Sequence, residues 1–477
     1  MRRPAPTRAT GIPARADPIS PVLHHPNAPR HHHPEAPAPG RRSLMSTTTA
    51  PETAIQPGDL KEREPRGYTP RYALASFGLF LAILAPVLGG LSVKIQSLVG
   101  LADAPTQLGL VSGVGALFAL VSQPLAGRLS DRTTSRFGMR KPWIISGVVL
   151  TFVSLVGVGL APNIPVLLIA WCGAQLFSNF AQAAETATIP DQVPEHRRGR
   201  VSGLIGAASP LAILVGAIGL NFLPTDALRA SVPAFIGLVF GLLFALMLKD
   251  RVLTTKPGPF SFKEFFSSFV FNPRTHKNLG WAWLTKAMIM FGYASISSYL
   301  TLFLAADFGM TKPSEQLQFN LYANIVSVVF MVVVSIVAGR MSDRLGRRRA
   351  FVTTGGIVLG FGVLILAIAP ALGIGTGLVL ILVAEGFIGI GGGLFFAVDT
   401  ALCVDVLPNP NDSAKDLGVL NIANTLPQTI APFVAGTVVI PLGNALFGSA
   451  GYSLWFGVGA AVAIVGGLLV LKIKGVK

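Results

Sequence analysis

The sequence predicts an all-α polytopic membrane protein of twelve transmembrane helices in two pseudo-symmetric six-helix halves. Three observations carry this prediction: a composition with 51% hydrophobic and only 13% charged residues, long runs without any charge, and sequence blocks that return at one interval. A soluble domain carries about 25% charged residues to cover its surface. The mean hydropathy of +0.60 points the same way. Residues 142–184, 201–225, 316–339, 350–384 and 452–471 lack charge altogether. About 20 helical residues cross a hydrocarbon core of roughly 30 Å, so each run spans once and the first spans twice. A segment in lipid must satisfy its own backbone, and many such segments make a helix bundle.

Residues 1–70 differ in kind. They are rich in Pro, Ala and Arg, contain no apolar run, and hold His24, His25 and His31 to His33. No signal peptide is readable, because there is no apolar h-region. The histidines have metal-binding chemistry, but the composition predicts a disordered tail, and no metal or cofactor is expected. Met45 opens a more ordinary polar stretch and is a candidate start.

From residue 71 the apolar pattern predicts spans at 72–97, 106–127, 143–162, 164–187, 200–221 and 231–249, then at 279–304, 316–339, 350–370, 376–401, 416–440 and 450–471. Residues 250–278, with Pro257, Pro259 and Pro273, read as the linker between halves 71–249 and 279–471, and 472–477 as a short tail. Loops after even-numbered spans hold Arg128, Arg132, Arg136, Arg140 and Lys141, then Arg197 and Arg198, and later Arg340, Arg344 and Arg347 to Arg349. The opposite loops offer only Lys94, Arg229 and Lys312. The positive-inside rule places both termini in the cytoplasm of a cell (inner) membrane. The net charge of +16 is therefore a topology signal and not a nucleic-acid footprint. Cys172 and Cys403 stand alone and read as small packing residues.

The halves match at specific places. The block GRLSDR from Gly127 returns as GRMSDR from Gly339; Glu185-Thr186-Ala187 with Asp191 returns as Asp399-Thr400-Ala401 with Asp405; Gly203 answers to Gly418. The order is kept and the separations are about 212 to 215 residues, which is the mark of an internal duplication.

The segment GRLSDRTTSRFGMRKP at 127–142 resembles the loop between helices two and three of the major facilitator superfamily, and GRMSDRLGRRR from Gly339 resembles the matching loop of the second half. The form of the first loop and the stretch LGVLNIANTLPQ at 417–428 are similar to the sugar and glycoside symporters, including sucrose carriers. Met139 departs from that pattern where another basic residue is usual. So do spans five and eight, which lack the charged residues those carriers hold there. The resemblance implies a carrier with substrate bound near mid-membrane between the halves. It also implies that the loop motif gates the cytoplasmic side, through Gly127, Asp131, Arg132, Arg136 and Arg140 and through Gly339, Asp343 and Arg344. Gly127 lets a neighbouring helix approach closely, and Asp131 accepts from a helix N-terminus or pairs with Arg132, Arg136 or Arg140. The plain alternative is that these arginines only set topology.

Glu185 and Asp399 sit within about a turn of the predicted ends of spans four and ten, where the loop arginines are the nearest partners; both are assigned to the gate. Glu385 lies near mid-depth in span ten with no base within a turn. An ionised acid there is costly without a partner. It is therefore either a proton-coupling carboxylate or a hydrogen-bonded structural lock. Lys94 and Lys286 near span ends are expected to snorkel. Gln175, Asn179 and Gln182 of span four recur at helical spacing, with Asn320 and Asn324 in span eight and Asn421, Asn424 and Gln428 in span eleven. Amides both donate and accept, which suits a polyol or glycoside, although they also bind helices to one another. Tyr293 and Tyr299 are expected in aromatic packing.

These expectations add up to a secondary carrier, proton- or other cation-coupled, for a small polar solute such as a sugar. The alternatives are a proton-antiport efflux carrier for drugs or metabolites, and a non-transporting membrane sensor. No phosphate-binding loop supports direct use of ATP, and no His/Cys/carboxylate cluster has catalytic spacing, so no enzyme is expected.

Overall fold

In the computed structural model the described residues are 65–253, 276–406, 413–448 and 450–474. The tail with its histidines, Met45, most of the linker and residues 475–477, and the expectations attached to them, lie outside these residues.

Every regular element among the described residues is helical. Span one comprises Tyr68–Ala85, a π-helical turn at Pro86–Gly90 and the first part of Leu91–Ser130. Gly100, at φ 79°, breaks that last helix and separates spans one and two. Spans three to six are Lys141–Leu160, Ile164–Gln192, Glu195–Phe222 and Asp226–Met247. Span seven is bent by 51° between Lys277–Ser297 and Leu300–Asp307. Spans eight, nine and ten are Pro313–Leu345, Arg348–Ile368 and Ile374–Asp405. Span eleven joins Ser413–Val434 to Ile440–Phe447 through a π-helical turn at Ala435–Val439, and span twelve is Gly451–Leu469.

Nine stretches of the described residues are long and apolar enough to cross a bilayer, or ten with bent span seven. The first stretch, 63 residues long, holds two crossings divided at Gly100, and span five, with its apolar part Gly206–Phe222, completes twelve. Helix ends follow ordinary capping chemistry. Asn163 accepts from the Val166 amide at 3.1 Å, and Thr225 from the Leu228 amide at 3.3 Å. Several helices outrun the predicted spans at the basic end, so Glu185 and Asp399 lie about two turns inside their helices instead of one.

Packing repeats the internal duplication. In the first half span one packs on five and six, three on four and six, and two on four. In the second, seven packs on eleven and twelve, nine on ten and twelve, and eight on ten. The halves meet through spans two and eleven and through spans five and eight. Outward-facing Val329, Val332, Val333, Ile336 and Val337 of span eight are exposed, a pattern suited to lipid and ruinous in water.

The contact between halves is concentrated at the end remote from the basic loops. There the Tyr299 hydroxyl donates to Pro105 O of span two at 3.2 Å and to Pro432 O of span eleven at 2.7 Å. Ser92 donates to Ser298 O at 3.2 Å, and Asn221 to Leu317 O at 3.2 Å. Gly436 lies so close to Pro105 O that a Cβ would overlap it. Toward the basic end Asn421 donates to Gln123 across the halves over a long 3.4 Å. A Cβ on Gly127 or Gly339 would meet nothing within 4 Å. The expected close helix approach at Gly127 is therefore absent from this conformation.

Candidate functional site

The apolar stripes that pack each half leave a polar face on span four turned to the molecular centre. Gln175, Ser178, Asn179 and Gln182 line a cavity of about 260 Å³ together with Ser112, Trp171, Ser297, Thr425, Gln428 and Pro432. Spans one, two and four supply one wall, and seven and eleven the other. No lining side chain carries a formal charge. Gln123 bridges toward Gln182 at 3.4 Å.

A second, smaller cavity of about 40 Å³ adjoins it. Glu385 lines it with Tyr293, Ser297, Asn320, Asn324 and Ser327. Ser297 belongs to both cavities. It is the last residue of Lys277–Ser297, at the bend of span seven. Glu385 is 5% exposed, and Asn320 donates to Thr301 Oγ1 at 2.9 Å while the Asn324 amide reaches the Asn320 side chain. Tyr293 packs edge-on against Phe396, as expected for an aromatic core residue. Tyr299 does more than pack, since its hydroxyl links the halves.

Of the eight amide positions expected at the substrate path, Gln175, Asn179, Gln182 and Gln428 line the large cavity, and Asn320 and Asn324 the small one. Asn421 lies nearer the basic end, against Gln123. Asn424 lines neither cavity; its backbone carbonyl accepts from Gln428 at 3.1 Å. Trp171, Ser112, Ser297 and Thr425 were not singled out in the sequence. A helical projection through the polar residues of span four places Trp171 one turn before Gln175 on the same face.

The charged supports meet expectation at Asp131, which pairs with Arg140, and depart from it elsewhere. Arg140, buried at the start of span three, binds Asp131, reaches Asp191 at 3.3 Å and donates to Ser130 at 2.6 Å. In the second half Arg348, at the start of span nine, binds Asp405 at 2.5 Å. Asp191 and Asp405 are repeat partners, so both halves tie the end of one helix to the start of its neighbour. Arg136 stacks on Phe137 at 4.8 Å, while Asp343 and Arg344 are exposed.

Loop arginines were the expected partners of Glu185 and Asp399, and that expectation fails for both. Asp399 instead receives Lys286 Nζ of span seven at 2.6 Å. The side chains of that pair are only 13% and 9% exposed, so Lys286 does not snorkel. It lies more than two turns inside a helix that begins at Lys277. Glu185 is buried with Oε1 unbonded, and Arg140 is bound to Asp131 and Asp191.

Asp250 is a further residue that the sequence concealed within the linker. Its Oδ2 accepts from the backbone amides of Arg140 and Lys141, both at 2.7 Å, and so caps span three. Gly138 makes this possible: its φ is 108°, and a Cβ there would overlap the Asp250 carboxylate. The amide of Met139 donates to Arg251 O at 3.0 Å, which pins the loop against the end of span six.

Comparison with known proteins bears on this arrangement. The family model of the Major Facilitator Superfamily matches residues 72–432 and 282–476. Multidrug resistance protein MdtG of Klebsiella pneumoniae (strain 342) is 24% identical over 250 residues, covering 51% of this chain and 57% of that protein. Sucrose transport protein SUC4 of Arabidopsis thaliana is 44% identical over 50 residues, 10% of each chain. The chain thus matches little more than half the length of one curated relative and a tenth of the other. Among solved structures, the nucleoside transporter NupG superposes with a TM-score of 0.65 at 12% identity, over 86% of this chain and 100% of that one. A D-xylose-proton symporter gives 0.63 at 14%, over 86% and 98%. At such identity the likeness is one of fold.

Proposed function

This chain belongs to the Major Facilitator Superfamily, and from that premise we propose that it is a proton-coupled carrier of a small neutral polar solute, such as a sugar or glycoside, working by alternating access. The observation that carries this reading is the pair of adjoining cavities. The larger offers amides, hydroxyls and one indole without a formal charge. The smaller holds the one carboxylate that lines either of them, Glu385, and shares Ser297 with the first. Uncharged donors and acceptors suit hydroxyl-bearing solutes, because a charged solute would leave its charge unpaired in a desolvated site. A carboxylate beside the substrate, and not against a fixed base, suits a proton that loads and unloads with it.

The basic loops support a cytoplasmic placement of the end where they lie, and in this reading the conformation faces inward. In this reading Asp131, Arg132, Arg136 and Arg140 with Gly127, and Asp343 and Arg344 with Gly339, form the gate that closes when the basic ends come together. Arg140 ties span three to span four, and Arg348 ties span nine to span ten, while each half moves. Glu185 and Asp399 stay inside their halves and support the gate from behind.

The short match to a sucrose transport protein favours a sugar. The longer match to a multidrug resistance protein favours the second reading, an efflux carrier. Uptake into proteoliposomes of a labelled panel of sugars, glycosides, nucleosides and lipophilic cations separates them. Saturable uptake of a neutral hydroxylated solute is expected. Movement of lipophilic cations alone would establish the efflux reading instead.

A further inference from the structure

The internal duplication pairs residues 185 and 399, and by the same interval of 214 it pairs 72 with 286. In the second half these positions hold Asp399 and Lys286, joined at 2.6 Å. In the first half they hold Glu185 and Tyr72. One half therefore answers a buried acid with a base, and the other with a phenol.

Among the described residues no base forms an ion pair with Glu185. The side chain is 1% exposed and Oε1 has no hydrogen-bond partner. From span one, Tyr68 and Tyr72 stand beside it. The Tyr68 hydroxyl is engaged with Thr188 Oγ1 at 2.6 Å, and Thr188 donates to the Glu185 backbone carbonyl at 2.6 Å, so neither proton is left for the carboxylate. The side chains clustered with these tyrosines from spans three, five and six include Ile144, Val201 and Phe244, all apolar. Further along the helix of Glu185, Asp191 is bound to Arg140 of span three at 3.3 Å, and Arg198 of span five donates to the carbonyls of Val193 and Pro190.

A bare carboxylate in such a place lacks both solvent and counter-charge, which is costlier than holding a proton. We propose that Glu185 is a proton-binding site of the first half, in which a bound proton takes the place that Lys286 fills in the second. Proton loss requires spans one and four to shift so that the carboxylate meets water or a cation. The use of that proton in a transport cycle rests on the carrier reading above; the site itself does not.

Infrared spectroscopy of the full-length protein in detergent tests the site without a substrate. The probe is the carbonyl stretch of a protonated carboxylic acid, followed through a pH titration. The wild type is expected to show such a band at neutral pH, Glu185→Gln to lose it, and Glu385→Gln to keep it. Tyr72→Lys is the second variant, installing the base of the other half while leaving Glu185 in place. It is expected to abolish the same band and raise the carboxylate signal. A Glu185→Gln spectrum identical to wild type, or a Tyr72→Lys spectrum that keeps the band, overturns the proposal. Failure of the uptake panel would remove the carrier reading and leave these spectral outcomes unchanged.

Discussion

Replacing Lys286 by Met leaves Asp399 buried with no counter-ion, and replacing Asp399 by Leu strands the ammonium. The pair spans 2.6 Å between helices seven and ten, with both side chains close to fully buried. Removing one partner of a buried ion pair costs about 3–5 kcal/mol, whereas replacing both with apolar groups of similar volume is close to neutral. Each single variant should therefore unfold earlier in detergent. At about 2–4 °C per kcal/mol for a domain of roughly two hundred residues, the fall is on the order of 10 °C. The double variant Lys286→Met/Asp399→Leu should recover most of it, giving a coupling of about 2 kcal/mol or more in a double-mutant cycle. Thermal unfolding followed by thiol accessibility reads this directly, since Cys403 lies 3.8 Å from Asp399 Oδ1 and is buried. Two additive losses would refute the reasoning. So would single losses under about 1 kcal/mol, the range of exposed pairs.

Other outcomes follow from the same geometry. Tyr299→Phe removes the hydroxyl that links Pro105 and Pro432, a contribution of about 0.5–1.5 kcal/mol. Spin-label distances across the end remote from the basic loops should then shift toward opening by roughly 2- to 13-fold in population. Arg140→Gln loses its ties to Asp131, Asp191 and Ser130; a loss of about 1.5–3 kcal/mol is expected in the same unfolding assay. Asp250→Ala uncaps span three and should cost about 1–2 kcal/mol. Gly138→Ala, which crowds Asp250 at a φ of 108°, should not add its full loss to that of Asp250→Ala.

The fold was legible because lipid enforces a simple code: uncharged runs of spanning length, basic loops on one side, and one duplication offset. Side-chain partnership was less legible. Whether Lys286 snorkels or pairs depends on the rotation and start of its helix, and span seven begins early enough to draw it inside. Helices with apolar residues all round show little periodicity to fix that rotation. Asp250 was hidden for another reason: its partners are backbone amides 109 and 110 residues away, which leave no side-chain signature. The polar face of span four was readable from its spacing, and six of the eight amide positions do line the two cavities. Ser297 and Trp171 escaped notice because a lone serine or tryptophan in an apolar helix looks like packing.

The most direct test of the carrier mechanism is substrate accumulation in proteoliposomes by wild type and Glu385→Gln, from roughly pH 5.5 to 8. The substituted amide keeps shape and hydrogen bonding and removes titration. Glu385→Gln is expected to exchange the solute across the membrane at near wild-type rates and to fail to concentrate it under an imposed proton gradient. Accumulation by this variant equal to wild type at every pH would contradict the coupling role and leave Glu385 a structural lock.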